Sequence, residues 1–284
     1  MLTNIHSMLL PEISRRQIQQ RCFSQILSGL IPEIVPTANI RDVLEPVCGP
    51  GAWVIEAARA YPQWQVTGLD ADPDMLRVAA ENSYGFGLDN LLFQRCDIRK
   101  TALPYASESF DFLQMQNVNA YIRAGAWPRV MRELLRVLRP GGWLHLVDME
   151  LGPVSSPALT RLAVLAAQVV AKMNHENKVR RTFSSALQYH RWLVEAGCQD
   201  VKQKVYPIKL GGFEDGDGIA LILARLAEDS KAVALLRSMN LIDGCELDIL
   251  LKDVRHEIQE IDFCGSLMLI SITATRPRLL QVSR

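Results

Sequence analysis

The sequence lacks the cysteine and histidine spacings that mark metal-binding or disulfide-rich proteins. Its six cysteines are scattered along 284 residues, with no Cys-x-x-Cys pair and no His-x3-His partner. A structural zinc site needs closely spaced ligands of this kind, and a small secreted domain uses cysteines in a dense framework. We therefore expect neither a bound metal nor a disulfide framework.

An excess of charge of one sign is also missing, because 31 Lys and Arg residues balance 31 Asp and Glu residues. This balance argues against a basic surface for nucleic acid. The N-terminus lacks the layout of a signal peptide, and the longest apolar helix candidate, residues 162–173, is interrupted by Gln168 and too short to span a bilayer. We expect a soluble, cytoplasmic protein with no nucleic-acid or membrane partner.

From residue 40 onward the sequence does contain a regular alternation of short β-rich runs and helical patterns. The β-rich runs are residues 42–45, 65–70, 91–97, 110–116 and 143–149. The helical patterns between them are residues 52–60, 73–81 and 128–138, and residues 139–142, Arg-Pro-Gly-Gly, form a stop signal after the last one. Such alternation is typical of parallel strands joined by crossover helices, so we predict an α/β fold with helices on both faces of the sheet.

The regions on either side of this alternation have a different character. Residues 11–30 have apolar side chains at helical spacing. After residue 150, helical patterns cover residues 157–173, 184–196 and 217–260, and strand-like runs cover residues 201–210 and 266–275. We therefore predict an N-terminal helix and a largely helical second half.

A glycine turn after the first predicted strand is the most informative segment. The strand ends at Glu45, and the turn containing Cys48, Gly49 and Gly51 leads directly into a helix. The two glycines allow the backbone to approach a ligand where a β-carbon would collide. The amides at the start of the following helix suit a carboxylate or a phosphate.

Two further acids end the next two predicted strands. Asp70 follows the second strand at the spacing where a carboxylate accepts hydrogen bonds from both hydroxyls of a ribose. A structural alternative is that Asp70 caps the next helix, but Asp72 is better placed for that cap. Asp97 ends the third strand, so three acids are expected at one edge of the sheet, where open α/β sheets bind their ligands.

The type of nucleoside ligand follows from what the turn lacks. A dinucleotide fingerprint requires a third glycine, where this chain has Val54, and Pro50 removes one backbone donor from the turn. Both residues disfavour an enzyme that uses a nicotinamide or a flavin. Ribose at Asp70, adenine near Asp97 and an amine at Glu45 fit S-adenosyl-L-methionine better.

At this point the region from about residue 40 to 150 resembles the class I, seven-stranded, Rossmann-like S-adenosylmethionine-dependent methyltransferases of the small-molecule type. The motifs that carry the resemblance are residues 43–51, 68–76, 96–98, 103–111 and 135–142. The resemblance implies a mostly parallel seven-stranded sheet with helices on both faces. It further implies an N-terminal helical lid (1–38) and a methyltransferase domain (39–284) with a helical insertion at about 213–262, before the last strand.

The resemblance also implies roles for individual residues. Glu45 matches the acid near the amino group of the cofactor, Gly49 lies under the methionine moiety, and Asp70 matches the ribose ligand. The whole predicted cofactor set is Glu45, Val47, Cys48, Gly49, Gly51, Asp70, Ala71, Met75, Asp97, Ile98 and Gln116. Asn117 and Tyr121 follow the fourth strand and are predicted to contact the methyl acceptor.

Two features depart from the family pattern. Val47 stands where the motif normally has glycine, so the turn must keep a negative φ there or accept strain. The stretch after the fourth strand also lacks a histidine or an acid that could act as a base. His145 lies in a strand pattern and is interpreted as a core residue, which leaves His175 and His190 as weak candidates for a general base.

We therefore expect a methyltransferase that modifies a small organic acceptor at oxygen, nitrogen or carbon, in the biosynthesis of specialised metabolites. One alternative is a non-catalytic regulatory protein of the same fold that binds S-adenosylmethionine. Another is an NAD-dependent oxidoreductase. The apolar helices after residue 150 would either cover an acceptor pocket or form a homodimer interface.

Overall fold

The computed structural model describes residues 19–20, 22–118, 121–173, 186–211 and 235–278. The strands of the sheet are β1 (Asp42–Glu45), β2 (Gln65–Asp70), β3 (Leu91–Arg95), β4 (Phe110–Gln116), β5 (Leu138–Val154), β6 (Gln199–Leu210) and β7 (Gly265–Thr275). The helices are α1 (Ala52–Ala60), α2 (Pro73–Tyr84), α3 (Trp127–Val137), α4 (Pro157–Met173), α5 (Tyr189–Glu195) and α6 (Gly244–Glu257). The predicted alternation of strands and helices is confirmed.

The seven strands form one sheet in the order β3-β2-β1-β4-β5-β7-β6. Parallel pairing joins β1 to β2 and β4, β2 to β3, and β4 to β5. The last strand, β7, runs antiparallel to β5. The Gly141 amide donates to the carbonyl of Arg276 and the Arg276 amide donates to the carbonyl of Gly142, while at the other end the Ser155 amide donates to the carbonyl of Cys264. The predicted seven-stranded, mostly parallel α/β sheet is thus confirmed, with β7 as its antiparallel member.

Strand β5 begins earlier than the sequence predicts. The Arg-Pro-Gly-Gly segment was expected to be a turn, but strand pairing starts at Leu138, directly after α3. Gly141 has a φ of 79°, and its N–H donates to the carbonyl of Arg276. The stop signal therefore ends the helix as predicted, and the left-handed glycine lets the chain enter the sheet at once.

The chain divides into two compact units. We call the first the core unit; it comprises residues 24–148, 186–205 and 270–284. We call the second the helical unit; it comprises residues 1–23, 149–185 and 206–269. The predicted boundaries, with a lid over 1–38 and an insertion at about 213–262, stay predictions, and much of both segments lies outside the described residues.

Apolar side chains from the strands and helices of the core unit form two buried clusters. One cluster centres on β4, α3 and α5, with Phe110, Met131 and Leu193 among its members. The other lies around β1, α1 and β2, where Trp53 and Trp64 are fully enclosed. This packing holds the carboxyl ends of the parallel strands in fixed positions.

The helical unit has its own apolar core, formed where α4 packs against α6. Glu257 on α6 secures the first turn of α4, because its carboxylate accepts hydrogen bonds from the Ser156 hydroxyl (2.6 Å) and the Ala158 amide (3.0 Å). Asp243 caps the start of α6 through the amide of Cys245 at 2.8 Å. Across the described part of the chain, no helix is long and apolar enough to span a membrane.

Candidate functional site

The turn after β1 adopts the backbone conformation that the glycine motif predicts. Gly49 and Gly51 have φ angles of 54° and 78°, which are left-handed values that other residues rarely adopt. Val47, which replaces the usual glycine of the motif, keeps a negative φ. The departure at Val47 therefore introduces no backbone strain into the turn.

Gly51 is required by space as well as by conformation. A β-carbon at this position would lie 3.0 Å from Cβ of Ala79 and 3.2 Å from side-chain atoms of Ile55 and Phe93. Helix α1 begins at the next residue. The turn also lies against side chains of α2 and β3, which supply Ala79 and Phe93. The missing side chain at Gly51 thus allows α1, α2 and β3 to pack closely against the turn.

Asp70, at the end of β2, is tied directly to this turn. Its side chain is only 7% exposed, and its carboxylate accepts hydrogen bonds from the Gly49 amide (2.8 Å) and the Asp72 amide (2.9 Å). Asp72, not Asp70, caps α2 by accepting from the Asp74 amide at 3.0 Å. Since a carboxylate offers about four lone-pair directions, the two amide bonds leave Asp70 capacity to accept two more hydrogen bonds.

Glu45 lies beside Asp70 at the same edge of the sheet. It ends β1, pairs in register with Gly68 of β2, and is 3% exposed. The backbone amide of Cys48 donates to the carbonyl of Leu69 at 2.7 Å, which joins the turn to β2. Two acids thus converge on one rigid turn, as the sequence predicted.

Asp97, after β3, is held differently. Its carboxylate accepts from Nε of Arg99 at 2.7 Å, from Nη2 of Arg99 at 3.0 Å and from the Arg99 amide at 3.1 Å. The hydrogen bonds from the Arg99 side chain lower the pKa of Asp97 below its ordinary value. The carboxylate predicted to lie near adenine is therefore ionised and bound by a cation from its own loop, which the sequence did not reveal.

The other predicted cofactor contacts surround these acids. Met75 on α2 and Ile98 after β3 are both buried, at 2% and 3% exposure, and the carbonyl of Ala71 accepts from Nε of Arg95 at 3.3 Å. Gln116 ends β4 opposite Val147 of β5. Met75 lies on helix α2, whereas Ala71, Ile98 and Gln116 end or follow strands. Their contacts with a cofactor stay predictions.

The segment after β4 is anchored by residues that the sequence analysis did not identify. The Asp148 carboxylate accepts from the Val118 amide at 3.1 Å and from the Tyr189 hydroxyl at 2.9 Å. Asn117 has a left-handed φ of 50°, and Tyr121 lies one turn further on, with its N–H donating to the carbonyl of Val118. An acid flanked by the apolar residues Val147 and Met149 was the available signal for Asp148.

The three histidines considered as catalytic groups lie in different environments. His145 is fully buried between Gln114 (2.7 Å) and Ser271 (2.9 Å), and burial lowers its pKa to about 3. The interpretation of His145 as a core residue is confirmed. His190 is exposed on α5, and His175 lies outside the described residues, so their roles as weak candidates for a base stay predictions.

Comparison with known proteins finds a protein family that matches the part of the chain containing the strand-end acids. Residues 43–142 match the family described as "Methyltransferase domain". This range contains β1 to β4, the glycine turn and all three strand-end acids. The matched segment is therefore the one that the sequence motifs singled out.

Relatives of this chain include two fungal proteins. The chain is 25% identical over 214 residues to the "Secondary metabolism regulator laeA" of Aspergillus fumigatus, covering 72% of this chain and 53% of that protein. It is also 25% identical over 174 residues to "Methyltransferase str2" of Strobilurus tenacellus, covering 59% of each. The chain thus spans little more than half the length of these curated relatives.

Among solved structures, the chain is similar to a Haemonchus contortus phosphoethanolamine N-methyltransferase 2 in complex with phosphomonomethylethanolamine and S-adenosylhomocysteine. The sequence identity is 17% and the TM-score is 0.52, and the match covers 84% of this chain and 49% of the other. At this identity the similarity supports the fold alone.

Proposed function

We propose that this protein is a class I, Rossmann-like methyltransferase that binds S-adenosyl-L-methionine and methylates a small organic acceptor. The match of residues 43–142 to the family described as "Methyltransferase domain" supports the proposal. The observation that carries the proposal is Asp70. Two backbone amides hold its carboxylate, and it lies against a glycine turn with no room for a side chain at Gly51. A nucleoside with two free hydroxyls is the ligand that this arrangement suits.

The residues at the three strand ends divide the recognition of the cofactor. Asp70 accepts the two ribose hydroxyls, and the buried carboxylate of Glu45 receives the amino group. The turn at Gly49 and Gly51 allows close approach of the methionine portion, and Asp97 with Ile98 borders the adenine. Charge-assisted hydrogen bonds of this kind combine strength with defined direction.

When bound, S-adenosylmethionine supplies a methyl group activated by the positive charge on its sulfur. The protein then has to orient an acceptor in line with that methyl group and exclude water from it. Asn117 and Tyr121, which follow β4, are the residues that we propose to border the acceptor, and Gln116, at the end of β4, borders the methionine end of the cofactor beside them. Their side chains are amides and a phenol, so positioning accounts for the reaction and we assign no general base.

Names of the relatives support the proposed setting. One is described as a methyltransferase and another as a regulator of secondary metabolism, which fits a role in specialised metabolite biosynthesis. The cytoplasmic location, the lack of a nucleic-acid partner and a homodimeric state stay predictions from the sequence.

A second candidate is a regulatory protein that binds the cofactor without turning it over. The similarity to a protein described as a regulator over 72% of this chain favours this candidate. The negative φ at Val47 removes the strain that first suggested a degenerate cofactor turn. The NAD-dependent oxidoreductase is not proposed further, because the methyltransferase match covers the turn on which it depended.

Calorimetric titration of the full chain with S-adenosylmethionine, S-adenosylhomocysteine and NAD tests the proposal. We expect binding of the first two and none of NAD. Incubation with cofactor labelled in the methyl group and fractions of small metabolites then separates the two candidates. Transfer of label supports the enzyme, binding without transfer supports the regulator, and absence of binding to either sulfur ligand contradicts both.

A further inference from the structure

Asp148 joins three segments of the core unit through one oxygen atom. It lies on β5, one residue beyond the partner of Gln116, and is 5% exposed. Its Oδ2 accepts the Val118 amide at 3.1 Å and the Tyr189 hydroxyl at 2.9 Å. The strand, the segment after β4 and helix α5 therefore meet at this carboxylate.

The hydrogen bond from the Val118 amide to Asp148 fixes the backbone directly after β4. The N–H of Asn117 donates to the carbonyl of Val147 at 2.9 Å, and the left-handed φ of Asn117 turns the chain so that the next amide faces Asp148. The Val118 carbonyl in turn accepts from Tyr121 and Ile122, each at 2.9 Å. The Val118 peptide group thus links Asp148 on one side to Tyr121 and Ile122 on the other.

The second donor is itself fixed in place. Tyr189 is fully buried, with its ring 4.9 Å from that of Trp127 in an edge-to-face arrangement. Burial, followed by the nearby Asp148 charge, raises the pKa of Tyr189 well above its ordinary value. The phenol therefore stays protonated and donates to Asp148, which receives two hydrogen bonds in a buried environment where such bonds are strong.

We infer that Asp148, supported by Tyr189, is a positioning residue that shapes the segment after β4 to receive the methionine end of the cofactor. The inference rests on the proposed function, which places Gln116 and its neighbours at that end. Asp148 does not itself need to touch the cofactor, because it acts through the Val118 amide. Geometry that is fixed before binding reduces the ordering that binding would otherwise require.

A matched carboxylate exists at the other end of β4. Asp111 also accepts two backbone amides, those of Arg41 and Asp42, each at 2.9 Å. It lies near the first residue of the strand, whereas Val118 lies beyond the last. Asp111 also pairs with Nη1 of Arg139 at 2.7 Å. Its loss removes these contacts at the far end of β4 and none at the segment after β4, so Asp111→Ala controls for general destabilisation.

The test compares two ligands of the full chain by calorimetry. S-adenosylhomocysteine contains the amino-acid end, whereas 5′-methylthioadenosine keeps the adenine, ribose and sulfur but lacks that end. We expect Asp148→Ala to lower the affinity for S-adenosylhomocysteine about tenfold or more, and the affinity for 5′-methylthioadenosine by less than about threefold. In Asp111→Ala, the ratio of the two affinities should stay that of the wild type.

Two further variants separate geometry from charge and from misfolding. Asp148→Asn should restore the wild-type ratio to within about threefold, because one amide oxygen has two lone pairs and accepts both donors. Tyr189→Phe should shift the ratio in the same direction as Asp148→Ala, but less, since the Val118 bond remains. Amide hydrogen exchange should show faster exchange at Val118 in Asp148→Ala.

An equal loss of affinity for both ligands in Asp148→Ala, or an unchanged ratio in a folded Asp148→Ala protein, would overturn the inference and leave the proposed function intact. A wild-type protein that binds neither ligand would overturn the proposed function itself. If Asp148→Ala does not fold, the decision rests on Tyr189→Phe. An unchanged ratio in that variant, with unchanged exchange at Val118, would count against the inference.

Discussion

The carboxylates that follow β2 and β3 belong to neighbouring strand ends, yet the protein holds them in different ways. Asp70 is 7% exposed and is bound by backbone amides of the glycine turn and of its own loop. The side chain of Asp97 is 18% exposed and is bound by Arg99, whose side chain is 42% exposed. The first carboxylate is held by backbone amides, whereas the second is held largely by a partly exposed side chain.

This difference has energetic consequences. A hydrogen bond from a buried backbone amide costs no side-chain ordering when a ligand arrives. An ion pair near the surface contributes about 0–1 kcal/mol, and a ligand that approaches Asp97 has to share or displace the Arg99 guanidinium. We therefore expect most of the cofactor affinity to come from the β1 and β2 ends, and less from the β3 end.

The largest effect should come from Asp70→Ala. Two charge-assisted hydrogen bonds to ribose are each worth about 1.5–3 kcal/mol, so affinity for S-adenosylhomocysteine should fall about 100-fold or more. Calorimetric titration measures the change. Asp74→Ala is the matched control, because Asp74 is an exposed acid in the first turn of α2 and its loss should leave the affinity unchanged. Equal affinities of the wild type and Asp70→Ala would remove the ribose assignment.

A smaller effect is expected from Gly51→Ala, which distorts the turn that Asp70 supports. Alanine would have to adopt a φ near 78° with its Cβ 3.0 Å from that of Ala79. Backbone strain of this kind costs about 1–3 kcal/mol, so we expect a lower melting temperature and a loss of affinity of about tenfold. Gly85→Ala is the control, because Gly85 has a φ of −76° and the added β-carbon would have no neighbouring atom within 4 Å. Its melting temperature and affinity should stay close to those of the wild type.

Asp97→Ala should weaken binding by less than about tenfold, because its carboxylate already satisfies Arg99 and the adenine contact involves fewer hydrogen bonds. The same titration decides the matter. A loss as large as that of Asp70→Ala would contradict the comparison between the two strand ends. It would place the main anchor of the nucleoside at β3.

The smallest effect is expected from Arg99→Ala, which removes the guanidinium partner of the Asp97 carboxylate but keeps the backbone amide of residue 99. Affinity should change by less than about threefold, since the ion pair is partly exposed. Because Arg99 lowers the pKa of Asp97 below 3.8, its removal should raise that pKa, which an NMR titration of the carboxyl carbon would follow. The pair stabilises the fold above the ordinary pKa, so the stability difference between wild type and variant should shrink as the pH falls below about 4.

Much of the fold could be predicted, because the signals are local in sequence. Strands β1, β2 and β4 have the predicted boundaries, and the glycine turn and the helix cap at Asp72 follow from residues a few positions apart. Strand β3 ends two residues before the predicted limit, and β5 begins five residues early, at Leu138. At its early start, β5 pairs with Phe110 of β4, and Gly141 donates to the carbonyl of Arg276, which lies more than 100 residues later in the chain.

The sequence by itself determined the order of strands and helices, the three acids at the strand ends and the glycine turn, since each depends on side-chain type and short spacing. Only the tertiary structure decided how those acids are held. Asp70 meets the Gly49 amide across 21 residues, and Asp148 meets the Tyr189 hydroxyl across 41. Such contacts form because packing brings distant segments together, and no periodic pattern in the sequence encodes which donor reaches which carboxylate.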